Sequence, residues 1–321
     1  MKETVAIAHP NFALVKYWGK RDSNQNRPAM SSISVTVDTM ISTTKIFKNT
    51  QLNQHQLFIN GIEESDLSKI LPPLEYLSEF SRTDENLVIE SQNNFPTSSG
   101  LASSASGIAS LVTAYEAHYD LSLDINHKVE ACMLGSGSAP RSLIGGFVLM
   151  DHKNNYRCSQ ILKEPEWPID VLICITSKDP KEISSREGME ISKKTSPIYQ
   201  DWLDINDEHI NLAMKAIKDK DMAGLENVTE ENCKLMHKVM KTSKPSITYM
   251  TDVTHSCIAE IENLRSLGHS LFYTIDAGPQ VKIICDPKST EIIRETIMDK
   301  TTVMDVIHAG LGGPPRIINE D

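Results

Sequence analysis

Hydrophobic positions recur along this chain with two different periods, and the switches between them mark out the elements. Residues 4–15 and 33–47 are rich in Val, Ile and Thr in partial alternation, which predicts strands. Leu57-Phe58-Ile59-Asn60-Gly61 reads as a strand entering a hairpin turn. Over 66–81 the apolar residues Leu67, Ile70, Leu71, Leu74, Leu77 and Phe80 make a helical face, which Pro72-Pro73 is expected to kink or split. Residues 87–90 predict a strand that leads into a loop. Beyond it, Ile108, Leu111, Val112 and Tyr115 fall at i, i+3, i+4 and i+7, so a helix begins near Ser103 or Ser104.

Two apolar runs, 145–150 and 171–175, predict strands, the second buried on both faces. Residues 178–185 are polar, contain Pro180 and read as a connection between domains. Helices are expected over 207–227, 229–241 and 257–267, a strand pair over 270–275 and 280–285, and a last helix over 291–300. No repeat or low-complexity segment interrupts the pattern. The sum is an α+β or α/β chain in two halves.

Composition narrows the class. At 321 residues the chain has room for about two domains. It is 40% hydrophobic and 23% charged, and no apolar run approaches the ~20 residues of a bilayer span, so no membrane partner is expected. The N-terminus carries Glu3 and lacks a long apolar stretch, which predicts a cytoplasmic address. A net charge of -11 argues against nucleic acid as a partner, so an anionic ligand needs a local basic pocket. The six cysteines show no C-x-x-C spacing and the ten histidines no H-x-x-x-H, which disfavours structural zinc and a disulfide framework.

Five segments carry candidate chemistry. Residues 93–105 form a Gly/Ser/Ala-rich loop that opens onto the helix starting at Ser103 or Ser104. Small residues let backbone N–H groups approach a phosphate, and the helix N-terminus adds partial positive charge; equally, they let a helix pack tightly on a sheet. A second Gly/Ser loop, 135–142, includes Arg141, suited to a two-pronged grip on carboxylate or phosphate, or else an ordinary turn with a surface arginine. In Lys16-Tyr17-Trp18-Gly19-Lys20-Arg21, three cations stand beside two aromatics, a mixture more typical of binding surfaces than of solvated turns. Ser184-Ser185-Arg186 pairs hydroxyls with a guanidinium. Asp276 ends an apolar strand before Gly278-Pro279, as a general base or as an Asp that closes a turn.

Taken together these segments resemble the diphosphomevalonate decarboxylases of the GHMP kinase superfamily. The likeness runs in the family's order through 11–21, 31–36, 93–107, 135–147, 185–189, 199–203, 236–237 and 276–279. Lys16-Tyr17-Trp18-Gly19-Lys20 and Asp276-Ala277-Gly278-Pro279 are its most specific stretches. It implies a two-domain α+β GHMP kinase fold, with a ribosomal protein S5 domain 2-like N-terminal ATP-binding half, 1–182, and a ferredoxin-like C-terminal half, 183–321. It also implies ATP-dependent decarboxylation of mevalonate 5-diphosphate to isopentenyl diphosphate, with ATP and Mg²⁺ as cofactors and a homodimer as the assembly.

On this resemblance Asp276 matches the catalytic aspartate, and Lys16 the lysine that holds it ionised. Arg141, beside Ser136, reaches the substrate carboxylate and counts with the catalytic group. Tyr17, Lys20, Ser185 and Arg186 hold the substrate diphosphate. Asn93, Pro96, Gly100, Ser103 and Ser104 line the ATP site, Ser104 as the hydroxyl nearest magnesium. One departure stands out: Met30 occupies a position where the family usually has Asn. Superfamily relatives that act on the 5-monophosphate, or stop at the 3-phosphate, are the runner-up. The Asp276–Lys16 pair favours the full reaction, and Ser185 with Arg186 favours the diphosphate. A non-catalytic homologue would be expected to lose the loop serines, the lysine or the aspartate, and none is lost.

Overall fold

The computed structural model describes residues 2–22, 25–96, 101–179 and 181–318. Gly100, expected in the ATP loop, lies outside them. The chain begins with β1 (Glu3–Ala8), β2 (Asn11–Val15), the short ribbon β3 (Lys20–Asp22) and β4 (Arg27–Pro28), then β5 (Ser32–Thr36) and β6 (Ser42–Lys48). There follow β7 (Gln56–Ile59), β8 (Ile62–Glu64), α1 (Leu71–Ser81), β9 (Leu87–Asn93), α2 (Ser103–His118) and α3 (Ile125–Gly135). Next come β10 (Phe147–Asp151), β11 (Arg157–Leu162) and β12 (Asp170–Ile175). The helices α4 (Ser185–Thr195), α5 (Tyr199–Asp204), α6 (Asn206–Asp219), α7 (Met222–Lys241) and α8 (Asp252–Ser266) lead to β13 (Leu271–Ile275) and β14 (Val281–Cys285). The chain closes with α9 (Thr290–Lys300), β15 (Asp305–Ala309) and β16 (Arg316–Ile318).

Three sheets organise these elements, in the orders β16-β1-β6-β9-β7-β8, β11-β10-β5-β2 and β13-β14-β12-β15. Each long N-terminal apolar run supplies two strands to two different sheets; the first divides at Pro10, which has no N–H for a ladder and whose carbonyl instead accepts from Val37 at 3.2 Å. Pro72 and Pro73 do not kink a helix. They occupy the first turn of α1, where a missing N–H costs nothing. The expected helix over 207–227 is broken: Lys220 turns left-handed (φ 56°) and the Asp221 carboxylate accepts from Gly224 N–H at 3.0 Å, which ends α6 and starts α7.

Strand β12 lies inside the expected N-terminal half, 1–182, yet hydrogen-bonds to β14 and β15. An apolar strand buried on both faces needs a neighbour at each edge, and those two provide it. In return β16, from the far C-terminus, pairs with β1. The halves also share a core: Phe12, Leu14, Ile33 and Val35 pack with Val171, Ile173, Phe272 and Ile284 across helices α6 and α7. This arrangement brings the end of β2 beside the end of β13. No helix among the described residues is long and apolar enough to cross a membrane.

Candidate active site

The end of β2 places Lys16 under the end of β13, and there the chain concentrates buried charge. The Lys16 side chain is 2% exposed; its ammonium donates to the Ala13 carbonyl at 2.8 Å and to Asp276 Oδ1 at 2.6 Å. Its backbone N–H donates to Asn232 Oδ1 on α7 at 2.8 Å, which fixes the strand end. Asp276 itself sits in the tight turn between β13 and β14, with Gly278 N–H on its carbonyl at 2.8 Å. A second lysine, Lys282 on β14, reaches Asp276 Oδ2 at 3.3 Å. Burial alone would raise the Asp276 carboxyl, but the charges and hydrogen bonds of Lys16 and Lys282 outweigh it and hold it well below the usual carboxylate range.

Behind this centre, His237 of α7 directs Nε2 at the Ile275 carbonyl, 3.2 Å away. A carbonyl can only accept, so Nε2 carries the proton. Burial pushes this imidazole down to about 4 despite that bond, with the Lys16 charge adding to the effect, and it is neutral at physiological pH.

Tyr17 links the centre to the second Gly/Ser loop. Its phenol is raised chiefly by burial, opposed by the Arg141 charge and helped by that of Asp276, so it stays neutral between the two. Arg141 is 2% exposed, with its guanidinium 5.8 Å from the centre of the Tyr17 ring. It donates to Asn11 Oδ1 at 3.2 Å, Ser34 Oγ at 3.0 Å and Ser32 Oγ at 2.5 Å, all neutral acceptors. The guanidinium therefore keeps its whole charge. Ser136 ends α3 and lies 3.2 Å from Ser138 Oγ. Gly137 has no room for a side chain: a Cβ there would stand 2.8 Å from both the Tyr17 hydroxyl and the Asn26 carbonyl.

At Asn26 the lining reaches a third group of cations. Lys20 Nζ donates to Asn26 Oδ1 at 2.5 Å and Arg186 Nη2 to the same oxygen at 2.8 Å. Two cations thus converge on one neutral carbonyl. Burial pushes Lys20 down to about 8, with Arg186 adding to the effect and Glu190 opposing it. Ser184 caps α4, accepting from Glu187 N–H at 3.2 Å, so that Ser185 and Arg186 lead its first turn. Lys181 Nζ meets Ser185 Oγ at 3.3 Å. It too is pushed to about 8, mainly by burial and then by the Lys282 charge, which ties this end of the site back to Asp276.

The expected ATP residues gather elsewhere, where β9 meets α2. Ala102 takes a left-handed conformation (φ 57°) that lets Ser103 and Ser104 open α2, and among the described residues no side chain caps that terminus. Asn93 Oδ1 accepts from Ser42 Oγ at 2.5 Å, Ser42 lies 2.6 Å from Ser106 Oγ, and Ser106 reaches the Ser103 carbonyl at 3.4 Å. Thr44 and Ser110 repeat the contact one turn on, at 2.6 Å. Ser106 and Ser110, just past the small-residue segment, pack the helix on the sheet, while Ser103 and Ser104 lie at its terminus. Pro96 is half-buried just before the loop. Among the described residues no cluster of three His, Cys, Asp or Glu could hold a metal. A magnesium ion carried by a nucleotide's own phosphates at α2 would find a hydroxyl such as that of Ser104 as a ligand, and the donor set fits that.

Met30 is fully buried, packed with Trp18, Met189, Trp202 and Met236. At the position where the resemblance leads to an expectation of Asn, this chain thus has an apolar cluster. Sequence reasoning did not single out Lys282, Asn26, Asn232 or Lys181. The one signal for Lys282 was an ammonium in the midst of the apolar run Val281-Lys282-Ile283-Ile284.

Comparison with known proteins finds similarity over the whole fold. The family model for the diphosphomevalonate decarboxylase-like N-terminal domain matches residues 8–160, and that for the mevalonate 5-diphosphate decarboxylase C-terminal domain matches 171–317. A diphosphomevalonate decarboxylase of Candida albicans is 34% identical over 308 residues, covering 89% of this chain and 85% of its own. The crystal structure of mevalonate diphosphate decarboxylase from Staphylococcus aureus superposes with TM-score 0.92 at 33% identity, over 99% of this chain and 98% of that one. The structure described as MDDEF in complex with MVAPP, AMPPCP and magnesium gives TM-score 0.91 at 29% identity, over 99% of each chain. With the sequence match running through both halves and the α+β two-domain fold shared end to end, this chain belongs to the diphosphomevalonate decarboxylase family.

Proposed function

We propose that this enzyme phosphorylates the tertiary 3-hydroxyl of mevalonate 5-diphosphate with ATP and then releases phosphate and CO2 to leave isopentenyl diphosphate. The observation that carries the reading is the series of neighbouring groups that runs from Asp276 and Lys16 to Tyr17 and Arg141, and past Gly137 to Lys20 and Arg186 at Asn26. It offers one ionised carboxylate at one end and a doubly cationic patch at the other, which suits a hydroxy acid with a diphosphate tail.

In this reading the Asp276 carboxylate accepts the hydrogen bond of the 3-hydroxyl and aims its oxygen at the phosphoryl group. A carboxylate held so far below neutrality is a poor base, so it orients the hydroxyl and takes the proton late, as the new P–O bond forms. Lys16 offsets charge on the transferring group. Arg141, with its charge undiminished, holds the substrate carboxylate beside Tyr17 and Ser136 until the C–C bond breaks. That electron pair forms the new double bond as the C–O bond to phosphate breaks on the neighbouring carbon. Lys20, Arg186 and Ser185 hold the diphosphate. Asn93, Pro96, Gly100, Ser103 and Ser104 belong to the nucleotide end, where bound magnesium would offset triphosphate charge.

The division between the ATP-binding half and the C-terminal half is best drawn between β11 and β12, ahead of the residue 182 expected from sequence, because β12 pairs wholly within the later sheet. The family resemblance carries a homodimer as well, and the N-terminal sequence a cytoplasmic address; the six free cysteines accord with the address, and light scattering of the purified protein tests the dimer. The reaction is tested by supplying ATP and Mg²⁺ with mevalonate, its 5-phosphate or its 5-diphosphate and following ADP and CO2 together. Equal amounts from the diphosphate alone are expected. ADP without CO2 would make the enzyme a 3-kinase, and CO2 from the monophosphate would move the substrate.

A further inference from the structure

Asp276 has two carboxylate oxygens and each meets its own ammonium: Oδ1 meets Lys16 at 2.6 Å and Oδ2 meets Lys282 at 3.3 Å. One lysine would neutralise one aspartate. The second is 0% exposed, an expensive place for a cation unless something requires it there. It also meets the Gln280 carbonyl at 3.3 Å and the face of Phe12, whose ring centre is 4.9 Å from Nζ, both of them neutral. Such partners hold an ammonium in place without quenching it. The trio Lys16, Asp276 and Lys282 thus carries one net positive charge.

We propose that Lys282 is a positioning residue for the reaction: it fixes the plane of the Asp276 carboxylate and keeps it ionised, and it leaves the excess positive charge that an incoming phosphoryl group meets. The inference rests on the function proposed above. Two contacts on opposite oxygens remove the rotation about Cβ–Cγ that a single contact to Lys16 would allow, so the oxygen left to face a hydroxyl is always the same one. The other titratable groups around the centre do not duplicate this. From α7, His237 and Cys233 are kept neutral by burial. Tyr17, from the chain after β2, is a neutral phenol, and Arg141 is engaged with Asn11, Ser32 and Ser34. Lys181, on the connection before α4, acts at longer range, and its ammonium is itself weakened by the Lys282 charge.

The test compares wild type with Lys282→Met and Lys282→Arg. Turnover of the 5-diphosphate by wild type is measured first, so that failure of the proposed function is seen before any variant is judged. Lys282→Met is expected to lower kcat about 10- to 100-fold while KM for both substrates changes less than about threefold, the pattern of a lost positioning contact. Its acid limb is expected to set in below pH ~5, where wild type is still flat, because an aspartate with one ammonium fewer protonates closer to its ordinary value. The ¹³C shift of the Asp276 carboxyl in substrate-free enzyme should report the same move. Lys282→Arg should return the limb to its wild-type position and recover part of the rate. Should Lys282→Met fail to fold, Lys282→Gln takes its place, since it can keep the Gln280 carbonyl contact without the charge. A lower melting temperature with kcat and the acid limb unchanged would overturn the proposal and leave Lys282 a structural residue only.

Discussion

Two regions of the site handle charge in opposite ways. Around Asp276, anion and cations are already joined, with Lys16 and Lys282 on one carboxylate. Around Asn26, Lys20 and Arg186 share one neutral carbonyl oxygen. The first group is preorganised, since its geometry is paid for in folding and barely changes when a ligand arrives. The second has cationic capacity to spare, which an anion would relieve. The contrast separates the residues that do chemistry from those that bind, and it predicts different kinetic signatures for each.

The largest effect should come from Asp276→Asn, which leaves two buried ammonium groups with no anion and removes the acceptor of the hydroxyl proton. A fall in kcat of at least about 10³-fold is expected, with binding of the 5-diphosphate retained, measured by single-turnover release of ADP and CO2. A large KM effect with kcat intact would erase the distinction. Arg186→Ala should do the reverse, raising KM for the 5-diphosphate about 10- to 100-fold, the worth of one charge-assisted bond, and lowering kcat much less. The same variant should discriminate less between 5-diphosphate and 5-monophosphate, as competition between them would show.

The pH dependence sharpens the comparison further. Lys20 sits at about 8, below an ordinary lysine, so it loses its charge as pH rises past that point. KM for the 5-diphosphate should therefore climb above pH 8, while rate steps that depend on Asp276 stay flat, since its carboxylate is fully ionised there. Diphosphate binding favours the charged lysine and should shift the limb upward when KM is replaced by the enzyme–substrate profile. The smallest effect is expected of Gly137→Ala. Its Cβ would press on the Tyr17 hydroxyl and the Asn26 carbonyl at 2.8 Å and force both regions apart by a few tenths of an ångström. A loss of about tenfold in kcat/KM, shared between kcat and KM, would show that the glycine couples the two.

How far this could be read from the sequence depends on whether the information was local. Lys16, Asp276 and Arg141 stood in distinctive short motifs, and the fold brings them together around Tyr17. Lys282 did not, because its strand reads as an apolar run and only pairing with β13 turns its ammonium toward Asp276. Asn26 was hidden in a polar turn, where its role depends on cations arriving from β3 and α4. Strand β12 was legible as buried, but local pattern does not say which sheet will bury it. Helix α4 went unpredicted because Ser185–Thr195 is polar on most of its length and buries only Gly188, Met189 and Ser192. In each case the missing information was a tertiary partner.

The most direct test of the division between chemistry and binding is calorimetric titration of mevalonate 5-diphosphate into Asp276→Asn and Arg186→Ala side by side. Near wild-type affinity is predicted for the first and a loss of about tenfold or more for the second. Lost affinity in Asp276→Asn with full affinity in Arg186→Ala would contradict the account, since the diphosphate would then be held at the lysine–aspartate centre and not at the paired cations.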